Sequence, residues 1–384
     1  MALAYDTLKF ISTIFLLLLI IPRSVTLACY TSIFAFGDSV TDVGNRMLIS
    51  DDPSNLRMAN PPYGETFFHH PNGRFCDGRL IIDFIAEHYG LPFMPPSASV
   101  AGNGSSIEGG VNFAVAGTNT VDSAFYEPRG IVNTYTNASL NVQMIWFKDV
   151  LPLFCATPSE CRKKFKSSLF VMGPFGSNDY RHGLDFGKDI KEIRTYIPVV
   201  IDTITAAINE LIKLGATTIM VPGIAPDGCL PVILTSFGSA NGLDYDPNTG
   251  CLSWMNELNE FHNLRLQQRL NIIRHLNPDV VIIYADLYNA AMKLYRNLKK
   301  YGFVQSLAAC CGTGGAYGYS DDVRCGDIEL INSCPDPWRH IDWDGCHMSE
   351  KANKLITMTL LDGTYTSPPI NTLCASPSKF TYYD

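Results

Sequence analysis

The chain has 384 residues, of which 46% are hydrophobic and 17% are charged, and its formal net charge is −8 at pH 7. This composition indicates a globular protein and excludes a fibrous or intrinsically disordered chain. Because the balance of charge is acidic, the sequence gives no electrostatic basis for binding nucleic acid or an anionic membrane surface.

The amino-terminal segment has the pattern of a secretory signal peptide. Lys9 precedes an apolar run over residues 10–21, and small residues near Ala28 offer a cleavage site. The run is short for a membrane span, so an uncleaved anchor is the less favoured alternative and stable membrane insertion is not expected. We therefore predict a signal peptide over residues 1–28 and a single domain over residues 29–384.

The segments between the turns alternate between two kinds of pattern. Five apolar runs predict β-strands, and helical spacing predicts helices over residues 80–89 and 197–212. A polar helix over residues 253–275 is expected to have a solvated face. Strands that alternate with helices favour a parallel sheet covered on both faces, in one α/β domain. The predicted strands are Ile33–Phe36, Gly109–Val115, Ser168–Met172, Thr217–Pro222 and Val280–Tyr284.

Ser39 lies just beyond the first predicted strand, which ends at the turn residues Gly37 and Asp38. Open α/β sheets bind ligands at the carboxyl ends of their strands, so Ser39 is expected at the ligand crevice. Such turns are common, and Ser39 alone is therefore weak evidence of catalysis. Asp38 and Asp42 are expected to brace the turn.

Two histidines have an aspartate three residues before them, and the spacing does not choose between them. The pairs are Asp179–His182 and Asp344–His347. In either pair the carboxylate could orient the imidazole, and the imidazole could accept the proton of a serine hydroxyl. Ser349 and Glu350 suit a helix start that would hold the second pair rigid. The other histidines, including His69 and His70, form no recognisable set of metal ligands.

The twelve cysteines all follow residue 28, and in a secreted protein this number indicates disulfide bonds. The predicted pairs are Cys155–Cys161 and Cys229–Cys251, and Cys29 and Cys374 are left to join the termini. No Cys-x-x-Cys pair occurs together with a second pair or with histidine partners, so no metal site is expected. Four further cysteines are expected to pair among themselves, namely Cys310, Cys311, Cys325 and Cys334.

Two Asn-x-Ser sequons are predicted glycosylation sites. They begin at Asn103 and Asn137. Surface loops of a secreted protein are the expected place for such sites.

Four short blocks, in a fixed order, resemble the GDSL lipase/esterase family, which is also called the SGNH hydrolases. The blocks contain Ser39, Gly117, Asn178 and His347. The resemblance is to the plant branch that contains sinapine esterase and acetylajmalan esterase. Ser39 also lacks the Gly-x-Ser-x-Gly motif of ordinary lipases, which favours the GDSL resemblance. Further matching blocks are Pro61–Gly64, Gly73–Arg79, Ala309–Gly312 and Trp343–Gly345.

The resemblance implies a division of roles among the site residues. Ser39 would be the nucleophile, His347 the base, and Asp344 the group that orients the imidazole. The oxyanion hole would consist of the Ser39 and Gly117 N–H groups and the Asn178 side-chain amide. No metal or organic cofactor is required for this chemistry.

Three positions depart from the family pattern. Val43 stands where many members have threonine, a change that should not prevent catalysis. Cys76 and Cys346 stand where cysteine is uncommon, and both lie in segments expected near the active site. We therefore predict a disulfide between Cys76 and Cys346 that fixes the His347 turn.

The resemblance also implies a fold and a function. The fold would be three-layered and flavodoxin-like, with a central, mostly parallel sheet of about five strands flanked by helices. The protein would be a monomer, secreted to the cell exterior or the vacuole, that hydrolyses a small specialised-metabolite ester. One alternative is an acyltransferase with an alcohol or sugar acceptor. Another is a secreted glycoprotein that binds ligands without turnover.

Overall fold

The computed structural model describes residues 29–103, 107–133, 135–327 and 333–373. The predicted signal peptide and Cys374 lie outside these residues, as does the side chain of Asn103. Within the described part of the chain, no helix is long and apolar enough to cross a membrane.

A six-stranded sheet forms the centre of the fold, with strand order β2-β1-β3-β4-β5-β6. The first five strands are parallel, and their order is that of flavodoxin-like sheets. The α/β prediction is therefore confirmed. The strands are β1 Ser32–Phe36, β2 Gly110–Asn112, β3 Ser168–Met172, β4 Thr218–Pro222, β5 Val281–Ala285 and β6 Thr366–Ser367.

Helices connect the strands and cover the sheet. In chain order the α-helices of the described residues are α1 Asn45–Leu48, α2 Ile81–His88, α3 Ser97–Asn103, α4 Ser123–Tyr126, α5 Leu140–Phe154, α6 Pro158–Phe165, α7 Ser177–Asp185, α8 Ile190–Arg194, α9 Ile197–Leu214, α10 Pro231–Phe237, α11 Ser253–Leu276, α12 Leu287–Arg296 and α13 Glu350–Leu361. Short 3₁₀ helices lie at Pro53–Asn55, Arg57–Ala59, Glu127–Arg129, Asp227–Cys229, Gly242–Asp244, Leu298–Tyr301, Pro337–Arg339 and Ile370–Thr372.

Each face of the sheet packs against its own set of helices, because successive strand residues point to opposite faces. Phe34 and Phe36 of β1 face the core formed with α5, α9 and α11. Ile33 and Ala35 face the core formed with α2, α12 and α13. All four side chains are fully buried. Burial of a large apolar side chain contributes roughly 1.5–3 kcal/mol, so Ile33 on one face and Phe34 and Phe36 on the other stabilise both layers.

Three features of the sheet and its helices differ from the sequence prediction. The strand predicted over Gly109–Val115 spans only Gly110–Asn112. The sixth strand, β6, is only two residues long and pairs antiparallel with the end of β5, which is too short for an alternating pattern to reveal. The polar face of α11, expected to be solvated, is buried in part: Asn256, Asn259 and Asn263 are each at most 7% exposed. Their amide groups bind a loop that lies above the sheet, as described below.

Four disulfides are present among the described residues. Cys155–Cys161 and Cys229–Cys251 form as predicted. The four later cysteines pair among themselves, as Cys310–Cys334 and Cys311–Cys325. Cys29 is also disulfide-bonded.

The predicted Cys76–Cys346 disulfide is wrong, because both residues are free thiols. Cys76 is buried in the core that contains α13, with its Sγ 3.5 Å from Asn353 Nδ2. Cys346 packs against the core on the other face of the sheet, and its Sγ accepts a hydrogen bond from Arg181. Proximity of the two segments in the fold therefore does not bring the two sulfurs together.

Candidate active site

Three adjacent strands bring the predicted site residues to one edge of the sheet. Ser39 follows β1, Gly117 follows β2, and Asn178 lies in the first turn of α7, after β3. Because these strands are neighbours and parallel, the segments that leave their carboxyl ends meet above the sheet. Topology alone thus explains why residues far apart in the chain share one site.

Asp42 fixes the first two of these segments together. Its buried carboxylate accepts hydrogen bonds from three backbone N–H groups of its own turn, at 2.7 to 3.0 Å. It also accepts one from the N–H of Ala116, at 2.8 Å, immediately before Gly117. Asp38 adds a bond from the N–H of Val40 at 3.0 Å. Both aspartates therefore brace the turn, as expected.

Ser39, His347 and Asp344 form a continuous chain of hydrogen bonds. The Ser39 Oγ to His347 Nε2 distance is 2.7 Å, and His347 Nδ1 lies 2.8 Å from Asp344 Oδ2. The other carboxylate oxygen accepts the backbone N–H groups of Cys346 and His347, each at 2.9 Å. The tight turn therefore holds the carboxylate within hydrogen-bond distance of Nδ1, while Nε2 contacts the serine hydroxyl.

The start of α13 stabilises this turn from its carboxyl side. Ser349 is the N-cap residue, and the helix begins at Glu350, as the sequence predicts. Arg79 donates through its backbone N–H and its guanidinium to the two Glu350 oxygens, at 2.8 and 2.7 Å. Asp77 accepts the Glu350 N–H at 2.7 Å. The block Gly73–Arg79 thus anchors the helix that follows His347.

Tyr63 is a partner of Asp344 that the sequence did not reveal. Its hydroxyl donates to Asp344 Oδ2 at 2.7 Å, and both side chains are buried. Burial raises the pKa of Asp344, but the charge of His347 and the hydrogen bonds from His347 and Tyr63 bring that pKa below its usual value. Asp344 is therefore a carboxylate at neutral pH, as orientation of the imidazole requires.

Phe75 is a second contact that the sequence did not reveal. Its ring stacks on the imidazole of His347, with 4.6 Å between ring centroids and 27° between the planes. Tyr63 packs edge-on against Phe75 in turn. Both residues lie in blocks that support the family resemblance, but no spacing rule connects positions 63 and 75 with position 347.

The predicted oxyanion-hole residues lie on the wall of the cavity that contains Ser39 and His347. Gly117 has a φ of 80°, and a Cβ at this position would lie 2.5 Å from the Cβ of Tyr135. The Asn178 amide donates one hydrogen to the Thr118 carbonyl at 2.9 Å, which leaves the second for the cavity. Among the described residues, neither the Ser39 N–H nor the Gly117 N–H donates a hydrogen bond.

The comparisons with known proteins agree with this geometry. The sequence model of the family described as GDSL-like Lipase/Acylhydrolase matches residues 33–360. The chain belongs to this family. The GDSL esterase/lipase At1g28580 of Arabidopsis thaliana is 47% identical over 90% of this chain and 88% of its own length. The sinapine esterase of Brassica napus is 44% identical over 96% of each chain. Family membership assigns the protein to the carboxylic ester hydrolases.

The second Asp-x-x-His pair of this GDSL protein forms no dyad. Asp179 accepts hydrogen bonds from the N–H and hydroxyl of Thr120, at 2.9 and 2.7 Å, and from Tyr126. The Nδ1 of His182 contacts the side-chain oxygen of Asn119 at 2.7 Å. Burial, helped by the charge of Arg181, lowers the pKa of His182 to about 4. Asp179 and His182 therefore form hydrogen bonds with residues of the segment that follows Gly117, and not with each other.

The buried amides of α11 hold the loop that follows β4 at the cavity. Asn263 binds both the N–H and the carbonyl of Ile224, at 2.8 and 2.9 Å. Asn259 accepts the N–H of Asp227 and donates to its carboxylate, both at 3.1 Å. Asp227 lines the cavity. This helix therefore shapes the site through a polar face that its sequence pattern presents as solvent-exposed.

One cluster of possible metal ligands occurs among the described residues. Cys310, Cys334 and His340 bring their ligand atoms within 4.8 Å of one another. The two sulfurs are joined in a disulfide, so neither is available as a thiolate ligand. The cluster is thus better explained as part of a disulfide-bonded loop.

Proposed function

We propose that this GDSL hydrolase is a secreted serine esterase that cleaves small esters through an acyl-Ser39 intermediate. The observation that supports the proposal best is the unbroken hydrogen-bond chain from Ser39 Oγ through His347 to Asp344. An ordinary serine hydroxyl is a weak nucleophile, and an adjacent oriented base activates it.

In the acylation step, the Ser39 hydroxyl attacks the ester carbonyl carbon while its proton passes to His347 Nε2. Asp344 stabilises the imidazolium that results. The carbonyl oxygen becomes an oxyanion, for which the N–H groups of Ser39 and Gly117 and the amide of Asn178 are the available donors. The imidazolium then protonates the leaving alkoxide, and the alcohol departs.

In the deacylation step, water replaces the alcohol and the same groups act in the reverse sense. The oxygen of the water molecule attacks the acyl carbon while His347 accepts a proton from the water. The second tetrahedral intermediate collapses to the acid and free Ser39, which recovers its proton from His347. The balance is one ester and one water consumed, and one acid and one alcohol released.

The size of the site supports a small substrate. The cavity has a volume of about 370 Å³, at the lower end of the range for small-molecule sites. Leu230, Ile233 and Met255 provide an apolar part of its lining. The relative named sinapine esterase is consistent with a small ester, and we propose the same class of substrate here.

Secretion is proposed from the amino-terminal pattern together with the disulfides. Four disulfide bonds suit an oxidising compartment, and Asn137 of one predicted sequon is exposed. Expression in a plant-cell host followed by amino-terminal sequencing tests this directly. Mature protein that begins near Cys29 supports the proposal, and intracellular protein that retains residues 1–28 contradicts it.

The mechanism is tested with the secreted protein and its Ser39→Ala variant. We expect a fluorophosphonate probe to label the wild type and p-nitrophenyl acetate to be hydrolysed, and we expect both reactions to vanish in the variant. Labelling with transfer to an added alcohol in preference to water would instead indicate an acyltransferase. Folded wild-type protein that shows neither reaction would contradict the serine-esterase mechanism and favour ligand binding without turnover.

A further inference from the structure

The active-site cavity contains more positive charge than ester hydrolysis needs. Hydrolysis of a neutral ester requires the nucleophile, the base and neutral hydrogen-bond donors to the oxyanion. Four arginines line the cavity in addition, together with only two carboxylate residues. The arginines are Arg46, Arg57, Arg181 and Arg324, and the carboxylates are Asp38 and Asp227.

Arg181 lies next to the reacting groups. It follows Asn178 by three residues on α7, so the two side chains share a helix face. Its Nη1 donates to Cys346 Sγ at 3.3 Å, one residue before His347. Burial raises the pKa of the Cys346 thiol to about 11, so this neighbour is neutral. Arg181 also forms a long salt bridge with Asp185, 3.6 Å from Nε to the carboxylate oxygen, and the Asp185 side chain is 38% exposed.

Arg324 and Arg57 line the same cavity as Arg181. The backbone N–H of Arg324 and the guanidinium of Arg57 both donate to the carboxylate of Asp327. We call these three residues, Arg57, Arg181 and Arg324, the arginine wall.

The acidic partners of the arginine wall leave it able to bind another anion. Asp321, which pairs with Arg324, has a side chain that is 55% exposed, and Asp327 is 30% exposed. Exposed ion pairs are weak because water screens them. The Arg324 Nε is buried and has no hydrogen-bond partner among the described residues. A buried donor without a partner gains most when an acceptor is supplied.

The two carboxylates of the cavity do not cancel this charge. Asp38 accepts the Val40 N–H, and burial raises its pKa to about 7, so it is partly protonated at neutral pH. Asp227 bonds with the neutral Asn259 amide; burial raises its pKa to about 6, so it is mostly ionised at neutral pH and attracts Arg181. Even with both carboxylates ionised, four guanidinium groups outnumber them in the lining, although the chain as a whole is acidic.

We propose that the arginine wall binds a carboxylate carried by the ester substrate. Guanidinium groups bind carboxylates through paired, charge-assisted hydrogen bonds. The substrate class would then be small esters that bear a free carboxylate, such as half-esters of dicarboxylic acids or acetyl esters of hydroxybenzoic acids. Esters of a quaternary ammonium alcohol would be disfavoured by the same charges. This inference rests on the proposed esterase function.

The test compares matched substrates that differ only in the anionic group. The first pair is mono-p-nitrophenyl glutarate and p-nitrophenyl valerate, which place a carboxylate or a methyl group at the end of the acyl chain. The second is 4-carboxyphenyl acetate and its neutral methyl ester, which vary the alcohol part. We expect kcat/KM for the anionic member of one pair to be higher by about tenfold or more, since a hydrogen bond between charged groups is worth roughly that factor.

Added salt and three variants show whether the arginine wall causes the preference. We expect 0.5 M NaCl to reduce the ratio of anionic to neutral kcat/KM, because salt screens charge–charge attraction. Arg181→Gln and Arg324→Gln should each reduce the ratio severalfold. Arg269→Gln, on the exposed part of α11 where Arg269 pairs with Asp202, is the matched control and should leave the ratio unchanged.

The outcomes separate the two proposals. Ser39-dependent hydrolysis of the neutral esters without preference for either anionic ester would overturn the arginine wall as a binding site and leave the esterase function intact. A preference that survives both wall variants would also overturn it. Failure to hydrolyse any of the four esters would contradict the proposed function itself. The salt dependence is measured on the wild type, so the test stands even if one wall variant does not fold.

Discussion

Replacing Tyr63 with phenylalanine removes one hydroxyl group from the candidate active site and keeps the ring. The ring contacts with Phe75 and Trp343 remain, at 5.7 and 6.1 Å between centroids, so the change adds almost no packing defect. What is lost is a 2.7 Å hydrogen bond to Asp344. Tyr63 is 2% exposed and Asp344 is 6% exposed, so water does not simply replace the hydroxyl.

The expected cost follows from the charge of the acceptor. A hydrogen bond to a charged group contributes about 1.5–3 kcal/mol, and we expect the free energy of unfolding at pH 7 to fall by that amount. The folded-state pKa of Asp344 lies below its usual value. The stabilisation that the ionised Asp344 gives to the folded protein is therefore fully present above the unfolded-state pKa, and it is lost as the pH falls through the folded-state pKa. The destabilisation by Tyr63→Phe should therefore shrink below about pH 4.

Urea unfolding of wild type and Tyr63→Phe at pH 7 and at pH 3.5 measures this difference. Tyr301→Phe, at a partly exposed ring, serves as the matched control and should change stability by less than about 0.5 kcal/mol. We also expect kcat/KM to fall less in Tyr63→Phe than in Asp344→Ala, because His347 still contacts the carboxylate. No destabilisation at pH 7 would refute the assigned bond.

Three further expectations test the rest of the site. Gly117→Ala should lower the free energy of unfolding by about 1–3 kcal/mol and reduce kcat/KM, because a φ of 80° is unfavourable for alanine and the added Cβ would meet Tyr135. Gly90→Ala is the control in thermal unfolding: its φ is 68° but its Cβ would meet no other atom, so it measures the backbone cost alone. Phe75→Leu removes a ring stacked on His347 and should reduce kcat by about two- to tenfold with little change in KM. His347→Gln should lower kcat by at least about 10³-fold, whereas His182→Gln should retain Ser39-dependent turnover. A larger loss of kcat in His182→Gln than in His347→Gln would show that the base is misassigned.

The strands and the serine turn are predictable because each depends on local sequence. The apolar run of β1 ends at Gly37 and Asp38, that of β3 ends at Gly173 and Pro174, and the observed bounds of β3 are those predicted. A parallel sheet directs the segments after its strands to one edge, but the strand order that makes Ser39, Gly117 and Asn178 neighbours comes from the structure. The choice of His347 over His182 required the family resemblance, since their spacing to aspartate is the same.

The contacts made between distant loops are not predictable in this way. Tyr63 and Phe75 reach the Asp344–His347 turn across more than 250 residues of chain, and nothing in their local sequence indicates the partner. The Cys76–Cys346 prediction failed for the same reason: it placed two segments correctly near the site but could not tell which face of the sheet each sulfur packs against. Side-chain direction, unlike segment position, depends on the whole fold.

The two long connections of the fold each contain residues of both kinds, so the contacts of a residue, and not its connection, decide the effect of a substitution. Tyr63, Phe75 and Arg79 follow α1 and contact Asp344, His347 and Glu350. Substitutions at these positions should lower kcat for every ester. Arg57, from the same connection, and Arg324, from the connection before α13, line the cavity and pair with Asp327 and Asp321. Substitutions at these two arginines should instead change the ratio between anionic and neutral esters, because neither residue pairs with the catalytic carboxylate.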